Sequence, residues 1–308
     1  MDRRQFIKSV VATTAGTALA LKVNGVAQAA AGKSGKGKSA YPDVVAVRNG
    51  EPDKMFRTGI AALGGMVAFV KPGQRVVVKP NAAFDAPPER GSNTNPILVG
   101  EIVRQCLSAG AADVAVFDNT LNDWRSAYGN SGIGEAVQKA GGRMLPADNE
   151  SLYKPLTEAR AERLKETAVF GALLSADVVI NVPVLKNHGG AKMTGAIKNL
   201  MGAVWERRSM HRNDLNRSIA EMLYYMKPTL NVVDAYRVMV DHGPRGLSVD
   251  DVRLVRHLLL SRDIVAVDAV ATRLLKYNQN DVKYIGIASQ LGFGNGDIKT
   301  IQIKRLNA

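Results

Sequence analysis

ADVVINVPVLKNHGGAKMTGAIKNLMG, Ala176 to Gly202, is the stretch around which the fold is read. Its opening run, Asp177-Val178-Val179-Ile180-Asn181-Val182, is a buried strand by its β-branched residues, and Pro183 has no N–H with which to continue a ladder. A basic loop is expected next, with Lys186, Asn187, His188, Gly189, Gly190 and Lys192. Thr194 then stands where a helix wants its N-cap, and the helix runs through Ala196, Ile197, Leu200 and Met201 with Lys198 and Asn199 in its early turns. A strand that hands a cationic loop to a helix N-terminus is how α/β proteins hold anions. An ordinary βα connection with solvated lysines is the alternative. Lys186, Asn187, His188, Lys192 and Lys198 fall close together beside two adjacent glycines, which favours the anion site.

Outward from this stretch, short apolar runs alternate with amphipathic segments. Strands are predicted at Val44–Val47, Arg75–Lys79, Asp113–Asp118, Thr229–Val233, Leu254–Leu260 and Thr300–Ile303. Helices are predicted at Pro52–Phe69, from Pro96 to a stop at Gly110, and at Gly132–Ala140, Thr167–Ser175, Leu215–Tyr225, Ile264–Leu275 and Val282–Gln290. This alternation predicts an α/β fold: a doubly wound, mostly parallel sheet with helices on both faces. Gly292-Phe293-Gly294-Asn295-Gly296 is no dinucleotide fingerprint, because a strand is expected after it rather than a helix.

In such sheets ligands bind beyond the carboxyl ends of the strands, so the residues just past each strand are the site candidates. The second strand delivers Lys79 and Asn81, and the third delivers Asp118, Asn119 and Thr120. The opening stretch delivers Lys186, His188, Lys192, Thr194, Lys198 and Asn199; TLNVVD delivers Asp234. Several polar strand ends suggest one polar cleft. Lys79, Lys186, Lys192 and Lys198 are suited to hold a carboxylate or phosphate as point charges. Asp118, Asp234 and His188 (with His211 further on) are the candidates for proton chemistry; the histidines could instead ligate a metal, and Asp118 and Asp234 could equally pair with the lysines or bind a hard metal. No metal site is assigned, since neither HxH nor HExxH occurs, and no GxSxG marks a serine nucleophile.

The N-terminus reads as an address. Arg3-Arg4 precede Phe6 and Lys8, a weakly apolar stretch comes next, and Ala27-Gln28-Ala29 offers a cleavage site. The expected organisation is a twin-arginine signal at 1–29, a flexible linker at 30–42 containing GKSGKGKS, and one α/β domain at 43–308. Export by the twin-arginine machinery to the periplasm, or otherwise out of the cell, is therefore expected. The formal net charge of +13 is inflated by this leader: residues 1–40 carry seven Lys or Arg and one Asp, which leaves 34 basic and 27 acidic residues, or +7. That moderate excess suits an anionic ligand, and with no basic–aromatic array it does not point to nucleic acid. The lone cysteine, Cys106, sits in an apolar helical run as a buried, inert thiol.

Taken together, VVVKPN (Val76–Asn81), the opening stretch, NVVDAYRVMVDHGPRG and SRDIVAVDAVATRLL resemble the DUF362 family of bacterial and archaeal proteins. The lysine–histidine segment followed by T-G-x-x-K-N-x-x-G is the most specific part, and Arg207 to His211 is similar to the family's Arg/His stretch. The resemblance implies an α/β fold and a shared polar site, without an established activity. Many relatives hold iron–sulfur clusters on an added ferredoxin-like module; this chain's own cysteine cannot hold one, so its cofactor is left unknown. The expected function is binding or transformation of an anionic small molecule in a Lys/His/Asp-lined cleft. The alternative is a non-catalytic periplasmic accessory protein that binds a metal or cofactor or assists a redox partner.

Overall fold

Valines at consecutive positions of a strand point to opposite sides of a sheet, and here both sides are covered. The computed structural model describes residues 40–308; the expected leader and the linker through Ser39 lie outside the described residues. The strands are β1 (Val44–Arg48), β2 (Arg75–Pro80), β3 (Asp113–Val116), β4 (Arg143–Met144), β5 (Tyr153–Thr157), β6 (Glu166–Phe170), β7 (Val178–Val182), β8 (Val184–His188), β9 (Lys192–Thr194), β10 (Leu230–Met239), β11 (Val252–Ser261) and β12 (Ile303–Asn307). The helices are α1 (Pro52–Ala61), α2 (Pro96–Ser108), α3 (Trp124–Asn130), α4 (Ile133–Lys139), α5 (Gly171–Leu174), α6 (Ala196–Asn199), α7 (Arg208–Arg212), α8 (Leu215–Glu221), α9 (Ile264–Ala271) and α10 (Lys283–Gln290). No described helix is long and apolar enough to cross a membrane.

The main sheet runs β12-β1-β11-β10-β7-β2-β3-β4, and β8 pairs with β10 and β9 beside that path. Its pairs are parallel except where β11 meets β1 and β10, and where β9 meets β8. Val76, Val78, Ile180 and Val232 pack with Met55 and Phe56 of α1, Leu98 and Ile102 of α2, and Ile133 of α4. Val77, Val179 and Val233 face the other way, toward Ile197 of α6, Ile219 of α8, Val267 of α9 and Ile285 of α10. A one-residue slip of any central strand would exchange these two apolar sets, so burial pins the register. The doubly wound arrangement expected from the alternation is the one observed.

Several elements differ from the expectation. Pro183 ends β7 but does not release a loop: β8 begins at Val184, and Lys186 and His188 sit on it, folded against β9 as a hairpin. β7 and β8 pair in turn with successive parts of β10, at Leu230–Asn231 and then from Asp234, and between them the Pro183 carbonyl accepts from Asp234 N–H. Thr167–Ser175 is helix only in its second half, Gly171–Leu174 (α5); its first half belongs to β6. Glu166–Phe170 pairs with β5, and the Phe170 ring stacks on Phe117 at 4.3 Å between centroids. The first helix stops at Ala61 because Gly64 and Gly65 come next with φ of 96° and 75°, conformations that break a helix. The last strand starts at Ile303 rather than Thr300, and β10 runs on through Met239.

Candidate functional site

Lys79 is on the same side of β2 as Val77, facing α6, and its side chain is wholly buried. A lone ammonium there would be prohibitive, so the fold gives it a partner. Its Nζ lies 2.7 Å from Asp118 Oδ1 and donates to the Pro80 carbonyl at 2.8 Å. Asp118 stands just past the end of β3, and its second oxygen accepts from Ala82 N–H at 2.8 Å. Burial lowers the Lys79 pKa, and the Asp118 charge opposes that shift. Gly202 lies flat on this pair: a Cβ there would overlap Asp118 Oδ1 and come within 2.6 Å of Lys79 Nζ.

α6 brings Lys198 and Asn199 to the same place, and buried amides lock it to the sheet. Asn199 Nδ2 donates to Asn181 Oδ1 at 2.8 Å and to the Lys79 carbonyl at 3.1 Å; Asn181 Nδ2 donates to the Ala196 carbonyl and to Asn231 Oδ1. Asn81 Nδ2 reaches Asn199 Oδ1 at 3.3 Å. The expected cap on α6 is not Thr194. Asp268, from α9, takes the free amides of Ala196 and Ile197 at 2.5 and 3.0 Å. Burial pushes Asp268 up to about 7 in spite of those two N–H bonds.

The hairpin supplies the opposite wall. Lys186 is 1 % exposed; its Nζ donates to the Ser92 carbonyl at 2.5 Å and to Asn81 Oδ1 at 3.4 Å, over the Phe84 ring. It has no carboxylate partner among the described residues. Burial, with Lys198 adding to it, holds its pKa well below the usual range. His188 Nδ1 accepts from the backbone N–H groups of Gly190 and Ala191, both at 3.1 Å. Nδ1 therefore offers a lone pair and the proton sits on Nε2. Burial first, then the charge of Lys198, pushes His188 down to about 3. With Nδ1 occupied by two N–H donors and its charged form disfavoured by burial, it presents a neutral Nε2–H. Thr194 is buried beside it with its Oγ1 unpartnered among the described residues.

These groups line a cavity of about 380 Å³, closed on one side by Arg207, Arg208 and His211. Arg207 donates to the carbonyls of Asn119 and Thr120 at 2.5 and 3.0 Å, and burial lowers its pKa. Lys198 looks into the cavity with its Nζ making no hydrogen bond to any described residue. Burial, then the neighbouring Arg207 charge, brings it down to about 8. Of the positive groups here, only Lys79 is matched by a carboxylate among the described residues. The cavity therefore has room, donors and an excess of positive charge for an anion.

The structure thus brings together Lys79, Asn81, Asp118, Lys186, His188, Thr194, Lys198 and Asn199. Four residues expected from the strand ends do not line the cavity: Asn119 and Thr120, whose carbonyls accept from Arg207, and Lys192 and Asp234. Lys192 sits at the hairpin turn with φ of 65°, exposed, its ammonium 4.6 Å from the Tyr277 ring centroid. Asp234 is mid-strand, because β10 is longer than its apolar core suggests, and it lies on the α2 side with Val232. There it accepts the amides of Asn95 and Tyr236, and burial raises it to about 6. Sequence reading missed the structural roles of Asn181 and Asn231, whose signal was a polar residue inside an apolar strand. Arg207 was visible only as part of a stretch, since nothing local says which way it turns. Cys106 is buried as expected, its thiol pushed up to about 12. Among the described residues, Asp241, His242 and Asp251 come close enough to suggest a cation. Asp251 already accepts from Leu247 and Ser248 N–H and meets His242 Nδ1 at 2.6 Å, so the group is satisfied as a loop brace.

The family described as "Domain of unknown function (DUF362)" matches residues 76–273, which contain every cavity-lining residue named above. The "Thylakoid-associated protein sll1697" of Synechocystis sp. is 29% identical over 252 residues, 77% of this chain and 74% of that protein. Among solved structures, the lactate racemase apoprotein from Thermoanaerobacterium thermosaccharolyticum aligns with a TM-score of 0.46 at 9% identity, over 77% of this chain and 57% of that one. A structural-genomics protein from Thermotoga maritima aligns with a TM-score of 0.44 at 13% identity, over 78% and 60%. This chain spans less than two thirds of either solved protein.

Proposed function

The chain belongs to the DUF362 family, and from that premise we propose that it binds a small anionic molecule in the cavity between β2, the β8–β9 hairpin and α6. One observation carries this reading: Lys186, Lys198 and Arg207 converge there with no carboxylate to match them among the described residues. Burying unmatched cations is costly, and a fold keeps them where a ligand supplies the missing charge. Lys186 and Arg207 hold the anion, Lys79 is kept in place by Asp118, and His188 Nε2–H and Thr194 Oγ1–H donate to its neutral oxygens. Proton chemistry on the ligand then falls to a lysine amine rather than to His188. We also propose, from Arg3-Arg4 and Ala27-Gln28-Ala29, that the protein is exported by the twin-arginine route; cell fractionation with Arg3 and Arg4 both changed to Lys tests that part.

The binding reading has a thermodynamic signature. An anion beside Lys186 and Lys198 raises both lowered pKa values, so binding takes up protons. Titration calorimetry with inorganic phosphate, acetate and pyruvate, in buffers of differing ionisation enthalpy, should show net uptake for whichever anion binds. Lys186→Met combined with Lys198→Met should lose that binding while retaining the circular dichroism spectrum. Binding of the same strength in the double variant would sink the assignment.

A further inference from the structure

The cavity's amines are not equivalent. Lys79 Nζ is bound to Asp118 and the Pro80 carbonyl, and Lys186 Nζ to the Ser92 carbonyl and Asn81. A nitrogen held by these bonds is not free to approach a ligand's carbonyl carbon. Lys198 Nζ is the exception: it faces the cavity and bonds to no described residue. α6, which carries it, is fixed at its N-terminus by Asp268 and along its flank by the Asn199–Asn181 bond, so the amine is aimed as well as free. Around it stand two kinds of group with different uses. Lys186 and Arg207 suit a carboxylate, whereas the His188 Nε2–H and the unpartnered Thr194 hydroxyl suit a neutral oxygen such as a carbonyl.

We propose that Lys198 forms an imine with a small oxo acid, a molecule carrying a ketone or aldehyde carbon beside its carboxylate. The inference rests on the anion-binding reading and adds to it a substrate class and a covalent step. The neutral Lys198 amine adds to the carbonyl carbon; a C–N bond forms, and the carbonyl oxygen ends as a hydroxyl holding the amine's proton. That oxygen, taking one further proton, leaves as water, and the nitrogen lone pair closes the C=N bond to give the iminium. No electrons leave or enter the system. Two features suit Lys198 to this chemistry. Desolvation beside other cations is the general means of keeping a lysine nucleophilic, and near pH 8 about half of this amine carries its lone pair. The cationic wall, in turn, holds the acid so that its carbonyl reaches Nζ.

The test is reductive trapping. The folded protein is incubated with pyruvate, or with 2-oxoglutarate, and sodium cyanoborohydride, and the modified lysine is located by peptide mass spectrometry. Calorimetry with pyruvate runs in parallel. A reduced adduct on Lys198, formed faster than on surface lysines, suppressed by excess acetate or phosphate and lost in Lys198→Arg, is the expected result. Lys198→Arg keeps the charge but cannot form an imine, and its melting curve reports whether it is folded. Adducts spread over surface lysines, or none, while pyruvate or phosphate still binds, would overturn the imine and leave anion binding standing. If none of pyruvate, 2-oxoglutarate, acetate or phosphate binds or reacts, the anion-binding reading fails and the imine fails with it.

Discussion

Replacing Lys79 with Met should strand a carboxylate in the protein interior. Lys79 Nζ and Asp118 Oδ1 are 2.7 Å apart, with side chains 0% and 2% exposed. At that distance the attraction is about 6 kcal/mol at an effective dielectric of about 20, and it offsets the desolvation of both groups. The variant leaves Asp118 with little beyond the Ala82 N–H at 2.8 Å. Breaking one side of such a pair costs ~3–5 kcal/mol. For a chain of this size that is a fall in melting temperature of ~6–20 °C. The pH dependence has a definite sign. In the variant the buried carboxylate has lost its cation, and its charged form is the one the interior disfavours. Stability is then lost as pH rises, by at most ~1.4 kcal/mol per unit, and the deficit against the natural protein is larger at pH 8 than at pH 5. Adding Asp118→Asn removes the charge, keeps an acceptor for Ala82 N–H, and should recover all but ~1–2 kcal/mol. Urea unfolding of the single and double variants at pH 5 and 8 reads both quantities. A Lys79→Met deficit below ~1 kcal/mol at pH 8, or a double variant as unstable as the single, would refute the reasoning.

Two further outcomes are expected at the same site. Gly202→Ala drives a methyl into the Lys79–Asp118 pair and should cost ~1–3 kcal/mol while weakening anion binding at least tenfold; unchanged calorimetry and melting would show that the pair moves aside freely. His188 should show the neutral Nε2–H tautomer by 15N NMR down to pH 5, because its folded pKa is depressed to about 3. Its contribution is fully present above ~6.5 and is lost as pH falls toward 3, since only the unfolded chain takes the proton; two protonated ring nitrogens at pH 5 would contradict the Gly190 and Ala191 hydrogen bonds.

Much of this architecture is legible in the chain because strands buried on both faces need runs such as RVVVK and DVVINV, and little else produces them. Strand ends then locate the cavity, which is why Lys79, Asp118, Lys186 and Lys198 could be named. Parity and length were harder. Asp234 looks like a strand end until β10 is known to continue to Met239, and only then does its place beside Val232 put it across the sheet. Pro183 hid the β7–β8 break, so a hairpin read as a loop. The partner of α6 could not be read at all: Asp268 lies 72 residues from Ala196, and no local pattern pairs them.

That distance in sequence has a consequence in time. During synthesis Lys79, Asp118, Lys186 and Lys198 all leave the ribosome well before Asp268 does. Until α9 emerges, the first amides of α6 have only water to bond with, and the segment carrying Lys198 has no anchor at its start. The cavity wall that carries Lys198 is therefore completed only after α9 has emerged, however early its other residues appear.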